Sequence, residues 1–119
     1  MSAQRVILVT ASRLFGEMLR RVIDRSGHLE MVQEVYSDKA LPRAIEQTEA
    51  EWMILSLNSH KTFPGWVDRH IASHPSMRFL AIFLGSNKVR LKGLDYEEEM
   101  EDLSLKDVLY ILERHPQHA

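Results

Sequence analysis

The hydrophobic residues of this chain fall into two kinds of segment that alternate along it. Four strand-like runs, rich in apolar residues, cover Arg5–Thr10, Leu29–Val35, Trp52–Leu57 and Met77–Leu84. Between them, apolar residues recur every three or four positions, which is the spacing of one face of a helix. Alternating strands and helices predict a parallel sheet with right-handed crossovers and helices on both faces.

The segments between the strands carry signals for where helices begin and end. Ser12 is a favourable N-cap for the first helix, and Gly27 is a favourable residue to end it. A short helix should begin at Ser37 or Asp38, and Pro75 should end the next one. We expect the core face of the first helix to consist of Leu14, Phe15, Met18, Leu19, Val22 and Ile23.

The alternation of strands and helices breaks after the fourth strand. Only residues 85–87 separate that strand from Lys88–Lys92, whereas a parallel crossover needs about a dozen residues or more. We therefore predict a five-stranded sheet of order 2-1-3-4-5, in which the last strand returns antiparallel and the fourth crossover helix is missing. Its alternating basic and apolar residues suit an edge strand with one wet face.

The segment that follows the fifth strand is strongly acidic, with six acids among residues 95–102. We expect a solvated loop or the start of a helix there; the alternative is a docking surface for a basic partner. The last helix should begin at Ser104, which has capping-box spacing to Asp107, and end before Pro116. Its apolar stripe comprises Leu105, Val108, Leu109 and Leu112.

Composition narrows the class of protein without changing this picture. The chain has 119 residues, of which 45% are hydrophobic and 27% charged, so we expect one globular domain spanning residues 1–119. There is no cysteine, which excludes disulfides and thiolate metal sites, and the formal net charge of -2 argues against general nucleic-acid binding. No apolar run reaches the length of a membrane span, and no secretory segment precedes the first strand, so we expect a cytoplasmic protein.

The carboxyl ends of the predicted strands are where an open α/β sheet binds its ligands. Residues 10–12, 56–58 and 83–85 read Thr-Ala-Ser, Ser-Leu-Asn and Phe-Leu-Gly, with no carboxylate among them. A hard cation such as Mg²⁺ therefore lacks the ligands that it prefers at these positions. No Gly-x-Gly-x-x-Gly or Walker sequence is present either, so we expect no cofactor and no nucleotide site.

Two histidines have a spacing that metal sites use. His70 and His74 lie four residues apart on a predicted helix, but no third ligand is apparent from the sequence. We therefore favour a structural place for both and predict no metal site.

The chain resembles the receiver domains of bacterial two-component signalling, in particular those attached to helix-turn-helix outputs of the NarL/LuxR type. Arg5–Val9 followed by Ser12–Ile23 is similar to the opening strand and helix of that family. Met31–Val35 and Trp52–Leu57 resemble its second and third strands, and Leu103–Glu113 resembles its closing helix. The resemblance implies a flavodoxin-like (CheY-like) three-layer α/β sandwich and a role in signalling.

The same resemblance points to residues that depart from the family pattern. The two acids that hold magnesium correspond to Thr10 and Ala11, and the phosphorylated aspartate corresponds to Ser56. The switch Thr or Ser falls on Phe83, and Lys92 is the candidate for the lysine that ends the fifth strand. These five residues form a vestigial receiver pocket. Phosphoryl transfer by the family's mechanism needs an aspartate and a divalent cation, so we do not expect it here.

We therefore predict a non-catalytic, phosphorylation-independent module that works by protein–protein interaction in bacterial signalling or transcriptional regulation, as a homodimer and without a metal or cofactor. Val108, Tyr110 and Ile111 on the last helix are the candidate interface residues, together with the last strand and the acidic run. No helix-turn-helix output is recognisable, so we expect a stand-alone adaptor. The alternative is a small-ligand or anion sensor that uses the vestigial receiver pocket.

Overall fold

The computed structural model describes residues 4–10, 12–36, 50–58, 65–84, 88–94, 97–102 and 104–114. Nine elements follow one another in this part of the chain: β1 (Gln4–Val9), α1 (Arg13–Ser26), β2 (Leu29–Val35), β3 (Trp52–Asn58), α2 (Gly65–Ser73), β4 (Arg78–Leu84), β5 (Lys88–Lys92), β6 (Glu97–Glu101) and α3 (Leu105–Arg114). The helix predicted to begin at Ser37 or Asp38 lies outside the described residues.

All six strands belong to one sheet, in the order β2-β1-β3-β4-β5-β6. The strands β1 to β4 pair in parallel, whereas β5 is antiparallel to β4 and β6 is antiparallel to β5. The predicted flavodoxin-like α/β class, the order of the first five strands and the antiparallel return of β5 are therefore confirmed. The predicted number of five strands is wrong, because a sixth strand is added outside β5.

The acidic segment forms the sixth strand. The prediction of a loop or a helix start for this segment is therefore wrong. Its glutamates lie directly across from the basic residues of β5. Three ion pairs join the two strands, and we call them the charge ladder: Lys88–Glu101 at 3.9 Å, Arg90–Glu99 at 3.1 Å and Lys92–Glu97 at 3.6 Å. Opposite charges directly across a strand pair stabilise it, which offsets the low strand propensity of glutamate.

Helices cover both faces of the sheet, as a three-layer sandwich requires. One face packs against α1 and α3 through a cluster of buried residues that we call the α1/α3 core: Val6, Leu8, Leu19, Ile23, Leu29, Trp52, Ile54, Leu80, Val89, Leu91, Val108 and Leu112. The other face packs against α2 through Ile7, Val9, Val35, Met53, Leu55, Val67, Ile71, Met77 and Phe79. Successive residues of the central strands therefore point into different cores, which explains their continuous apolar sequences.

Both ends of α1 and the start of α3 follow the predicted capping. Ser12 Oγ accepts a hydrogen bond from the Phe15 amide at 3.2 Å, and Gly27 ends α1 in the left-handed region with φ 74°. At the start of α3, Ser104 N donates to Asp107 Oδ2 at 2.9 Å while Asp107 N donates to Ser104 Oγ at 3.3 Å. This reciprocal pair is a capping box, so the aspartate replaces the usual glutamate.

The buried stripe of α1 is narrower than the sequence indicates. Leu19 and Ile23 are buried, whereas Leu14 is 70% exposed and Met18 is 45% exposed. Leu14 is rotated by roughly 140° from Leu19 around the helix axis, at 3.6 residues per turn. The prediction that Leu14 and Met18 face the core is therefore wrong.

None of the helices in the described ranges is long and apolar enough to cross a bilayer.

Candidate functional site at the carboxyl edge of the sheet

Two hydroxyl groups meet at the carboxyl edge of the sheet, where the resemblance places carboxylates. Thr10 follows the last residue of β1, and its amide donates to the Val35 carbonyl at 3.0 Å. Because Val9 pairs with Leu55 in the parallel ladder, the next residues along, Thr10 and Ser56, come side by side. Their hydroxyl oxygens are hydrogen-bonded to each other, and Thr10 is only 3% exposed.

The same hydroxyl pair is connected to the start of α1. Thr10 Oγ1 accepts a hydrogen bond from the Ser12 amide at 3.0 Å. Ser12 in turn caps α1, through its side chain on Phe15 N and through its carbonyl, which accepts from Gly16 N at 3.1 Å. The polar atoms of Thr10 and Ser12 therefore have a structural role, because they stabilise the connection between β1 and α1.

The third predicted member of the vestigial receiver pocket is a buried aromatic residue. Phe83 is 4% exposed, and the guanidinium of Arg90 lies 5.7 Å from the centre of its ring. A side chain of this kind cannot donate or accept the hydrogen bond that a switch hydroxyl makes. The fourth member, Ala11, lies outside the described residues.

The fifth member, Lys92, is not at this edge, and its assignment to the vestigial receiver pocket is wrong. Lys92 pairs with Phe79, whereas Ser56 pairs with Ile82 on the same strand. Three residues along β4 separate the two levels, which is about 10 Å at the rise of a strand. The reason is topological: β5 runs antiparallel, so its last residue lies toward the amino end of β4.

Lys92 instead belongs to a cluster between α2 and the β5–β6 hairpin. Its Nζ lies 2.9 Å from Asp68 Oδ1 and 3.6 Å from Glu97 Oε1. The hydrogen bond with Asp68, and next the charge of Glu97, raise the pKa of Lys92 against the opposing effect of partial burial. A cavity of about 460 Å³ opens beside this cluster, lined by Asp68, Ile71, Ala72, Lys92, Gly93, Leu94 and Glu97.

The candidate interface residues on α3 have three different surroundings. Val108 is 3% exposed and lies within the α1/α3 core. It is not a surface residue, so the prediction that it belongs to a contact patch is wrong. Ile111 is partly buried against that core, and Tyr110 is 60% exposed. Of the three, Tyr110 and part of Ile111 are therefore at the surface.

His70 of α2 and His74, the residue that follows the helix, pack together, and His70 also packs against an aromatic ring. The rings of His70 and His74 are 6.2 Å apart, and Trp66 meets His70 edge-on at 5.4 Å. Burial, followed by the charges of His74 and Arg69, lowers the pKa of His70. Among the described residues, no group of three or more His, Cys, Asp or Glu side chains could hold a metal ion.

A buried polar cluster at the opposite edge of the sheet was not predicted from the sequence. Arg78 is 5% exposed, and its guanidinium lies 4.3 Å from the centre of the Trp52 ring. Gln4 Oε1 accepts hydrogen bonds from Arg78 Nη2 at 2.7 Å and from Trp52 Nε1 at 3.0 Å. Gln4 Nε2 donates to the Leu112 carbonyl at 3.3 Å, so the cluster connects β1, β3, β4 and α3.

No protein-family model matches this chain, and no curated protein sequence matches it. Among solved structures, it is similar to RcsB from Salmonella enterica serovar Typhimurium, whose structure was determined bound to the promoter rprA in the presence of the phosphomimetic BeF3⁻. The TM-score is 0.58 at 19% identity, over 72% of this chain and 45% of the RcsB chain. This chain therefore spans less than half of RcsB, and the likeness shows a receiver-like α/β fold.

Proposed function

We propose that this chain is a receiver-like protein-interaction module that acts in cytoplasmic bacterial signalling or transcriptional regulation without phosphoryl transfer. The observation that carries the proposal is the hydroxyl pair of Thr10 and Ser56, which occupies the edge where the resemblance calls for carboxylates. Thr10 is buried, and its oxygen is committed to Ser56 and to the Ser12 amide. The likeness to RcsB supports the signalling context.

The chemistry of this edge supports a role without phosphoryl transfer. The formation of an aspartyl phosphate needs a carboxylate as the nucleophile. It also needs a divalent cation to neutralise the charge on the phosphoryl oxygens. Ser56 offers a neutral hydroxyl whose hydrogen-bond partner, Thr10, is another neutral hydroxyl and not a base. A serine without an adjacent base is a weak nucleophile.

Phosphodonor chemistry tests this proposal directly. We expect no gain of a phosphoryl group when the chain is incubated with acetyl phosphate and Mg²⁺, as measured by intact-protein mass spectrometry. We also expect no change of the unfolding temperature with Mg²⁺ and BeF3⁻, because a ligand raises that temperature only if it binds the folded state. A receiver domain that has its full set of carboxylates serves as the positive control.

Two outcomes would contradict the proposal in different ways. A phosphoryl adduct on an aspartyl or seryl side chain would show that the chain accepts phosphate after all. A rise of the unfolding temperature with inorganic phosphate alone would instead favour the small-ligand or anion sensor.

The proposed partner includes a second copy of the chain, which contacts the first through α3. Tyr110 is 60% exposed on this helix, beside the half-buried Ile111. The neighbouring helix α1, which contacts α3, adds the exposed apolar side chains of Leu14 and Met18. Exposed aromatic and aliphatic groups on adjacent helices are typical of the centre of a protein interface.

We expect light scattering to give twice the chain mass of 13.8 kDa at micromolar concentration. Tyr110→Arg should weaken the dimer at least about tenfold, because a buried, unpaired charge would replace the aromatic contact. Leu94→Arg is the matched control, because Leu94 is 54% exposed but lies beside α2, which covers the sheet face opposite to α3, so the variant should dimerise normally. A monomeric unsubstituted chain would contradict the dimer.

A further inference from the structure

The outer strand of the sheet, β6, is paired on one side only. It is hydrogen-bonded to β5 at the end of the strand order, and no other strand of the described ranges pairs with it. An edge strand presents backbone N–H and C=O groups that an extended segment of another chain can bind. The backbone of Glu97–Glu101 is therefore a template for strand addition.

The charges on β6 limit which segment it can accept. Glu97, Glu99 and Glu101 lie on one face of the strand, where they form the charge ladder with β5. Their side chains are still 49%, 43% and 62% exposed. A side chain in a sheet has neighbours about 4.8 Å away on both sides, so each carboxylate has room for a second cation on its outer side.

The other face of β6 carries the exposed Glu98 and, beside it, Met100, which contributes an apolar contact. Met100 is half-buried and packs against the α1/α3 core, next to the buried residues Val89 and Leu91 of β5. A side chain added beyond Met100 on this face would extend that core. The segment that fits both faces alternates basic and apolar residues, which is the pattern that β5 itself has in Lys88–Lys92.

A second copy of β6 is a poor occupant of this edge. Two antiparallel copies centred on Glu99 would place glutamates directly across from glutamates, and like charges directly opposite each other destabilise a strand pair. The strand thus resists pairing with itself while remaining open to a basic partner. The edge of β6 is therefore a different surface from the dimer contact proposed on α3.

We propose that β6 binds, by strand addition, an extended segment of a partner protein in which lysine or arginine alternates with apolar residues. This inference rests on the proposed role as a protein-interaction module, and it names the surface and the chemistry of the partner. The outer sides of the Glu97, Glu99 and Glu101 carboxylates supply the specificity for charge. The backbone of β6 supplies the specificity for an extended conformation.

The test uses the full chain and three capped synthetic peptides of identical charge. The first alternates lysine or arginine with valine or leucine, the second has the same composition with its basic residues grouped, and the third is the first with alternate backbone amides methylated. We expect the first to bind at least about tenfold more tightly than the other two by fluorescence anisotropy. Amide NMR signals of Glu97–Glu101 should shift, while those of Leu29–Val35 on the opposite edge should not.

A pair of protein variants distinguishes binding at β6 from a general attraction between opposite charges. Glu99→Gln should weaken binding of the alternating peptide several-fold, because it removes one carboxylate from the middle of the strand. Glu30→Gln, which removes an exposed carboxylate from the other edge strand, should leave it unchanged. The amides of β5 should keep their protection from hydrogen exchange, because the peptide adds outside β6 and does not displace β5.

Equal binding of the alternating and grouped peptides would overturn the inference, as would binding that leaves the β6 signals unchanged or the absence of binding by all three. Any of these results, together with no phosphorylation by acetyl phosphate, would leave the proposed function in place. A phosphoryl adduct with intact peptide binding would remove only the proposal of a phosphorylation-independent role.

Discussion

Replacing Trp52 with alanine should lower the free energy of unfolding by about 3–5 kcal/mol, as for other buried large-to-small changes. Trp52 is fully buried in the α1/α3 core, so its removal leaves a large cavity. The change also removes the ring beneath the buried Arg78 guanidinium and the Nε1 group that donates a hydrogen bond to Gln4 Oε1. A domain's whole stability is about 5–15 kcal/mol, so the loss should be plain in a urea titration followed by circular dichroism.

Trp52→Phe isolates the hydrogen-bond part of that loss, and Trp66→Phe serves as a comparison at a tryptophan without this bond. Trp52→Phe keeps an aromatic ring under Arg78 but loses the hydrogen bond to Gln4, which should cost about 1–2 kcal/mol. Trp66→Phe should cost less, because the buried Nε1 of Trp66 makes no hydrogen bond within the described part of the chain. A Trp52→Ala variant as stable as the unsubstituted chain would show that this edge of the sheet is not packed as described.

Replacing Leu91 with alanine should lower the free energy of unfolding by about 2–4 kcal/mol. Leu91 lies on β5 and is 1% exposed in the α1/α3 core, where it shares a cluster with Leu80 and Leu112. The residue thus connects the β5–β6 hairpin to the central parallel strands. The expected loss means that β5 and β6 unfold together with the rest of the sheet in one transition.

Leu94→Ala is the matched control for Leu91→Ala. The same side chain is removed three residues away, but Leu94 is 54% exposed. Its replacement should change the stability by less than about 0.5 kcal/mol. Similar small losses for both variants, or a separate early transition of the hairpin, would show that β5 and β6 are only loosely attached to the sheet.

Much of the fold follows from local sequence signals. The central strands bury both faces and therefore carry continuous apolar residues, and the short connection after β4 leaves no room for a parallel crossover. The contact between Thr10 and Ser56 follows in the same way, since parallel neighbours end at the same edge. These features depend on residues that are close in sequence or on one simple rule of pairing.

The features that the sequence did not reveal depend on pairs of distant segments. Residues 97–101 are poor strand formers by themselves, and only their register against the basic residues of β5 makes them a strand. The buried place of Arg78 likewise depends on Gln4 and Trp52, which lie 74 and 26 positions earlier in the chain. Leu14 and Met18 have core-like spacing, but the packing of α1 decides which part of a wide apolar stripe is buried.

The charge ladder has a consequence for how this protein behaves in concentrated solution. The register places Lys92 and Arg90 on the same sheet face as Phe79 and Ala81, the face that α2 covers farther along the sheet. A sheet face that no helix covers would normally expose apolar side chains in an α/β protein, and these promote aggregation. On β5 and β6 this face instead carries a row of cations beside a row of anions, so this part of the sheet needs no covering helix to prevent aggregation.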